Sequence, residues 1–130
     1  WTGYRTTALA ADELLLAVHI GIYDTDRITY RKVGTRMAQA ISKVVLGGRL
    51  QVQEGRVTHA RLALGSVGPV PLRLPSVEAA LLGQPIHSSA ADAVAQDITP
   101  IDDIRSTADY RRTVATRIVR SWLKREAGEP

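Results

Sequence analysis

The stretch Tyr30–Val45, YRKVGTRMAQAISKVV, is where the reading of this chain begins. Its end opens a strand: Val44, Leu46, Leu50 and Val52 continue an apolar pattern at every second residue, the period of one face of a sheet. Its beginning does not fit that period. Arg31, Lys32 and Arg36 crowd three cations around Gly34, whose missing Cβ tolerates positive φ and lets a backbone or a ligand come close. Two readings stand side by side. A cationic, glycine-hinged segment running into a core strand can hold an anion or a polar ring against rigid structure, or it is a solvated basic connection between strands.

Working outward, Trp1–Ala11 reads as an irregular arm with aromatic anchors at Trp1 and Tyr4. Asp12–Ile20 alternates, with Leu14, Leu16, Val18 and Ile20 on one face, which predicts a strand with one buried face. Leu15 is the large aliphatic residue on the other face. It is either a second hydrophobic layer beneath a helix or an apolar contact for a ligand. A turn over Gly21–Asp26 leads to a short strand over Arg27–Lys32, and Met37–Ala40 fits a single helical turn. The next strand runs Ser42–Gln53 with Gly47 and Gly48 inside it, a mark of a bulge or a close backbone approach. Glu54-Gly55 turns the chain into a strand over Arg56–Ser66, whose Ala60, Leu62 and Leu64 share a face. The sum is an antiparallel meander.

Gly68–Pro75, GPVPLRLP, has three prolines and cannot be a helix or a central strand. Beyond it the period turns helical. Ser76 is the expected N-cap of a short helix stopped by Gly83, and Ser88 or Ser89 that of a second helix reaching about Gln96. Ile98–Ile104 is an extended link. Ser106 and Asp109 form a capping-box-like start to the last helix, where Val114, Ala115, Ile118, Val119, Trp122 and Leu123 make an apolar stripe. Ending near Lys124, it would be roughly 28 Å long and cover one face of the sheet, with Trp122 in the core. Gly128–Pro130 is expected to fray. The fold class expected is α+β: a three- to four-stranded antiparallel sheet followed by three helices packed on one face, a two-layer sandwich over residues 1–130.

Composition narrows the function. With 130 residues, 45% of them hydrophobic, one domain with its own core is expected. There is no cysteine, so the chain itself can ligate no iron–sulfur cluster and form no disulfide. That suits a cytoplasmic protein. No apolar run approaches the roughly 20 residues of a membrane span. The chain opens at Trp1 and holds a single methionine, Met37, and it reads as a piece of a longer protein. The net charge of +4 raises nucleic acid as a partner, but there is no Phe and few Tyr or Trp to stack on bases, and the arginines are spread from Arg5 to Arg125. No nucleic acid is expected. His19, His59 and His87 are far apart and predict no metal site, and Asp102-Asp103 sits where carboxylates serve a helix N-terminus. No G-x-G-x-x-G or G-K-[ST] phosphate loop is present. The residues alone indicate no catalytic centre.

Three blocks carry a family resemblance. KVGTRMAQAISKV at Lys32–Val44 closely resembles the C-terminal domain of the xanthine dehydrogenase FAD-binding subunit. TGYRTTALAADELL at Thr2–Leu15 resembles the entry into that domain, and PIDDIRSTADYRR at Pro100–Arg112 the approach to its last helix. The carbon monoxide dehydrogenase flavoprotein has the same kind of domain. The resemblance implies a domain that closes over FAD bound mainly by a preceding flavin-binding domain, with Lys32 approaching the ring system and Leu15 supplying apolar contact. It implies an oxidoreductase of purine catabolism that hydroxylates hypoxanthine or xanthine. The molybdenum cofactor and iron–sulfur clusters would sit on other domains or subunits of a hetero-oligomer, and electrons would pass from the clusters through FAD to NAD. Two alternatives stay open: a non-catalytic assembly domain docking partner subunits, and the equivalent domain of a carbon monoxide dehydrogenase or aldehyde oxidase-type relative.

Overall fold

The computed structural model describes residues 1–21, 27–36 and 39–130, so most of the turn expected over Gly21–Asp26, and half of the helical turn expected over Met37–Ala40, lie outside the described residues. Four strands form one antiparallel sheet in sequence order: β1 (Arg27–Gly34), β2 (Ser42–Gln53), β3 (Arg56–Gly65) and the two-residue edge strand β4 (Leu72–Arg73). The β2–β3 hairpin closes through Glu54 (φ 51°) and Gly55 (φ 75°), the paired positive φ values of the turn type whose twist matches that of the strands. α1 (Pro75–Leu81), a 3-10 turn (Ser88–Ala93) running into α2 (Val94–Asp97), and the long α3 (Ala108–Ala127) complete the chain. The expected α+β class and two-layer arrangement are what the structure has.

Alternation along the strands decides which face is covered. Val44, Leu46 and Leu50 of β2 and Ala60, Leu62 and Leu64 of β3 are fully buried against Val77 and Leu81 of α1, Val94 of α2, and Ala115, Val119, Trp122 and Leu123 of α3. Each fully buried leucine contributes about 1.5–3 kcal/mol relative to exposure. The closest approach is at Gly48. A Cβ there would lie 2.4 Å from the Trp122 ring, and 3.0 Å from Cγ2 of Thr29, its partner on β1. Of the glycine pair, Gly48 admits the helix, while nothing lies within 4 Å of a Cβ at Gly47, which points the other way. The ladder's irregularities fall elsewhere, at Val33/Gly34 and Gln51/Val52.

β4 is too short to pair with all of β3, and a side chain completes the edge. The Glu78 carboxylate of α1 accepts from the Leu62 backbone N–H at 2.8 Å and from Arg73 Nε and Nη2 at 2.9 and 2.6 Å. Glu78 is 6% exposed, so a buried charge is held by a backbone donor and a forked guanidinium.

Several local expectations are corrected. The strand expected over Asp12–Ile20 is absent: Leu14, Leu16, Val18 and Ile20 are between 69% and 89% exposed, and no ladder reaches them. The alternation marks a face in need of cover, and no described element covers it. α1 starts with Pro75 at its first position and not with a Ser76 cap; Ser76 instead bonds Asp97 of α2 through its N–H and its hydroxyl. The second helix is 3-10 for most of its length. α3 is capped by Thr107, whose hydroxyl accepts from the Tyr110 N–H, one residue later than expected. Its C-terminus does not fray. Gly128 takes the left-handed conformation (φ 70°), the Glu129 N–H returns to the Lys124 carbonyl, and the Glu129 carboxylate accepts from the Ser88 N–H.

The Asp pair serves the start of α3, as expected. Asp102 accepts from the Ala108 N–H at 2.5 Å. Asp103 accepts from the N–H groups of Arg105 and Ser106 and from Arg111 Nη2 at 2.6 Å, and Arg111, buried, spends Nη1 on the Ser66 carbonyl. The Arg105 N–H, then the Arg111 guanidinium and the Ser106 N–H, outweigh partial desolvation and hold the Asp103 carboxyl below its usual range.

Three outcomes are expected from this packing. Gly48→Ala forces the Trp122 ring aside and lowers the unfolding free energy in denaturant by about 1–3 kcal/mol; an unchanged midpoint contradicts the close approach. Glu78→Ala strands the Leu62 N–H and costs about 2–4 kcal/mol in the same assay. Because its folded pKa is depressed, Asp103 contributes stability that is present above its unfolded pKa and lost as pH falls through the folded one. Asp103→Asn should therefore flatten the loss of thermal stability measured below about pH 4, and equal slopes for the two proteins would refute the assignment.

Candidate functional site

Lys32 lies on β1 opposite Val45, and Tyr30 opposite Gly47. Since Thr29 touches the helix side at Gly48, the pleat sends Ile28, Tyr30 and Lys32 to the uncovered face. All three are exposed. The register carries this face across the sheet, from Tyr30 to Gly47 to Ala63 and from Ile28 to Arg49 to Arg61. Because Gly47 and Ala63 have almost no side chain, the middle of the face is a shallow apolar trough. It belongs to a cleft of about 530 Å³ bounded by Ile28 on one side and by Arg49, Arg61 and Arg73 on the other. A flat, polar-edged ring fits such a floor: apolar in the centre, edged by arginines of which Arg61 and Arg73 share the Glu78 carboxylate, and flanked along β1 by an aromatic ring and an ammonium.

The connection after β1 is built for shape. A Cβ on Gly34 would meet the Ala40 Cβ at 3.2 Å and the carbonyl oxygens of Arg36 and Ile41 at 3.5 Å, so the chain folds tightly over it. Arg36 staples the loop, donating from Nε and Nη2 to the Gln39 carbonyl at 3.2 and 2.6 Å. At the loop's far end, Lys43 Nζ stands 5.1 Å from the Tyr110 ring centroid, a cation–π contact joining β2 to the start of α3. Of the three cations that drew attention in the sequence, Arg36 closes the loop, Arg31 points to the helix side, and Lys32 faces the trough.

Leu15 stands apart. It is 64% exposed, in an irregular segment that approaches the trough only at its end, through Ile20 and Gly21. The structure places Lys32 on the open face and does not bring Leu15 to it. Sequence reasoning missed Tyr30, Gly47 and Ala63. The available signal was a glycine within a strand beside one already needed for packing, and an aromatic residue two positions before Lys32.

No group of three or more His, Asp or Glu residues among the described residues is placed to hold a metal ion. His87 is engaged on both ring nitrogens, 2.8 Å from the Ser89 hydroxyl and 3.2 Å from the Ala80 carbonyl. No described helix is long and apolar enough to cross a membrane. For FAD, the flat apolar trough has the shape of one wall of a flavin-ring site, and the sequence holds no G-x-G-x-x-G or G-K-[ST] phosphate loop.

The chain is 25% identical over 116 residues to the xanthine dehydrogenase FAD-binding subunit of Escherichia coli O157:H7, covering 85% of this chain and 40% of that protein. It is 35% identical over 71 residues to the carbon monoxide dehydrogenase medium chain of Hydrogenophaga pseudoflava, covering 52% of this chain and 25% of that one. Among solved structures, a carbon monoxide dehydrogenase from Hydrogenophaga pseudoflava superposes with a TM-score of 0.71 at 30% identity, over 77% of this chain and 36% of that chain. Quinoline 2-oxidoreductase from Pseudomonas putida 86 superposes at 0.69 with 25% identity, over 78% and 36%. The chain thus spans well under half the length of these relatives. The family model of the CO dehydrogenase flavoprotein C-terminal domain matches residues 28–125, a range that takes in Lys32 and leaves out Leu15, and the chain belongs to that family.

Proposed function

We propose that this chain is the C-terminal domain of the FAD-binding subunit of a xanthine dehydrogenase-like molybdenum hydroxylase, and that residues 1–130 together close one side of a flavin site. The observation that carries this reading is the placement of Lys32 on the open face, beside the flat strip made by Tyr30, Gly47 and Ala63. In this reading Lys32 presents its ammonium to the carbonyl-bearing edge of the ring, where negative charge grows on reduction, and favours the reduced state. Tyr30 and the backbone of Gly47 exclude water from the ring's neighbourhood. Leu15 adds an apolar contact once the flavin-binding domain lies beside its segment. Bound FAD supplies the electron transfer between iron–sulfur clusters and NAD that hypoxanthine or xanthine oxidation requires. The clusters and the molybdenum cofactor belong to partner domains or subunits of a cytoplasmic hetero-oligomer.

The relative that supports the xanthine branch aligns with 85% of this chain. The 35% identity with a carbon monoxide dehydrogenase medium chain supports a second reading, in which the same domain serves an enzyme of that type. Both readings give Lys32 the same work, since substrate choice is made at the molybdenum centre.

The test is Lys32→Ala in the assembled enzyme, with the flavin absorbance bands followed by stopped flow. Loss of the ammonium should slow flavin reduction or reoxidation by about tenfold, equivalent to ~1.4 kcal/mol in the barrier, with subunit association unaltered. Unchanged flavin kinetics with weakened association would instead make this an assembly domain.

A further inference from the structure

A second cleft, of about 410 Å³, lies between α3 and the outer edge of the sheet at β1, with Tyr30 among its lining residues. Thr29 and Arg31 of β1 form one wall; Arg117, Ser121 and Arg125 of α3 form the other, with Trp122 beneath. The helix residues are four apart, so all three project from one face of α3. Arg31 reaches the cleft because it pairs with Leu46 on the helix-facing side of the sheet.

Three guanidinium groups therefore share one groove, and the carboxylates of the described residues do not balance them. Among the described residues, neither Arg31 nor Arg117 has a carboxylate within 4.0 Å. Arg125 has Glu126 at 3.2 Å, but that carboxylate is shared with Arg27 at 3.5 Å and with the Trp122 indole N–H at 3.1 Å. Like charges crowded over an aromatic floor favour any anion that enters, and guanidinium forks favour planar carboxylates in particular.

The strand beside the arginines indicates what carries those carboxylates. β1 is the terminal strand of the sheet, and no described residue pairs with its outer edge, so its outward N–H and C=O groups border the cleft. An extended peptide lying along that edge would gain ladder hydrogen bonds over as many as eight residues, about 26 Å. Its every second side chain would turn toward α3. A small phosphate would satisfy the arginines and leave the edge unpaired. A second copy of this chain would set Arg27, Arg31 and Lys32 against the same three cations, a repulsion that protects an edge from self-pairing.

We propose that the groove between β1 and α3 docks an acidic, extended segment of a partner protein, which adds a strand to β1 and places alternate carboxylates among Arg31, Arg117 and Arg125. This holds whether or not the opposite face closes over FAD.

The test uses the 130-residue chain and a dye-labelled peptide of alternating threonine and glutamate, long enough to span β1, with binding followed by fluorescence anisotropy. The peptide should bind, and Arg31→Glu/Arg117→Glu should weaken it by about tenfold or more. Arg31→Gln/Arg117→Gln should give a smaller loss with an unchanged circular dichroism spectrum. Arg112→Glu, a charge reversal on α3 outside the cleft, should leave binding nearly as it was. Absence of peptide binding, or equal weakening by Arg112→Glu, overturns the proposal. So does inorganic pyrophosphate displacing the peptide at a concentration where free glutamate does not, because the cleft would then be a phosphate site.

Discussion

The rest of the structure depends on the contact of Trp122 with the bare backbone of Gly48. A helix normally lies on a sheet at a distance set by the side chains between them. Here one strand residue has none, and a Cβ would stand 2.4 Å from the indole ring. The ring therefore settles against the sheet itself, and α3 is fixed in both height and position along β2. The indole N–H is satisfied by Glu126, one turn further along the same helix, so the close packing buries no unpaired donor. With α3 anchored there, Ala115, Val119 and Leu123 fall over the leucines of β2 and β3, and Arg117, Ser121 and Arg125 fall over the outer edge at β1. One missing methyl group thus places both the core and the cationic groove.

The parts of the fold legible in the sequence were those in which a local signal and its cause coincide. Glu54-Gly55 adopts a turn that needs two positive φ values, and the strands flanking it alternate cleanly, so the β2–β3 hairpin followed from the residues. The stripe of α3 and the core position of Trp122 were equally direct. Where a signal reports a need without naming what meets it, reading the residues failed. Asp12–Ile20 alternates like a strand, yet a strand exists only where a neighbour offers its edge, and among the described residues none does. Glu78 and Arg111 look like ordinary surface charges. Both are buried because short or irregular backbone nearby, at β4 and around Ser66, leaves a donor or an acceptor that a charged side chain can reach. That geometry is set by tertiary contacts and leaves no periodic trace.

The candidate site divides along the same line. The residues marked a cationic segment around a glycine, only the family resemblance singled out Lys32 among its three cations, and the pleat then determined which way it faces. Its two companions separate by mechanism: Arg36 spends its guanidinium on a carbonyl three residues away, and Arg31 turns to the helix side. The trough was not legible, because Gly47 and Ala63 meet only through the register of β2 with β3. Glycine in a strand weakens it, and two in a row weaken it further. Gly48 repays that cost through Trp122. Gly47 has no such return within this domain, since nothing lies near its absent Cβ.

That asymmetry bears on how the domain is used. A strand position that loses conformational entropy without gaining packing is stable only because its neighbours compensate, here the fully buried Leu46 and Leu50 on the opposite face. The use of such a residue is what it lets approach. At Gly48 the approaching group is an indole from the same chain, held by a helix. At Gly47 the face is flat and exposed, with Ile28 and arginines lining the cleft and the register placing Tyr30 and Lys32 on the same face of β1. The same sheet thus uses adjacent glycines in opposite directions, one to seat its own helix and the other to leave a floor. Walls rising around that floor are few: Ile20 and Gly21 line the cleft, while Leu14, Leu16 and Val18 keep their apolar side chains uncovered. The trough and the segment before β1 thus both present apolar surface that no described element covers.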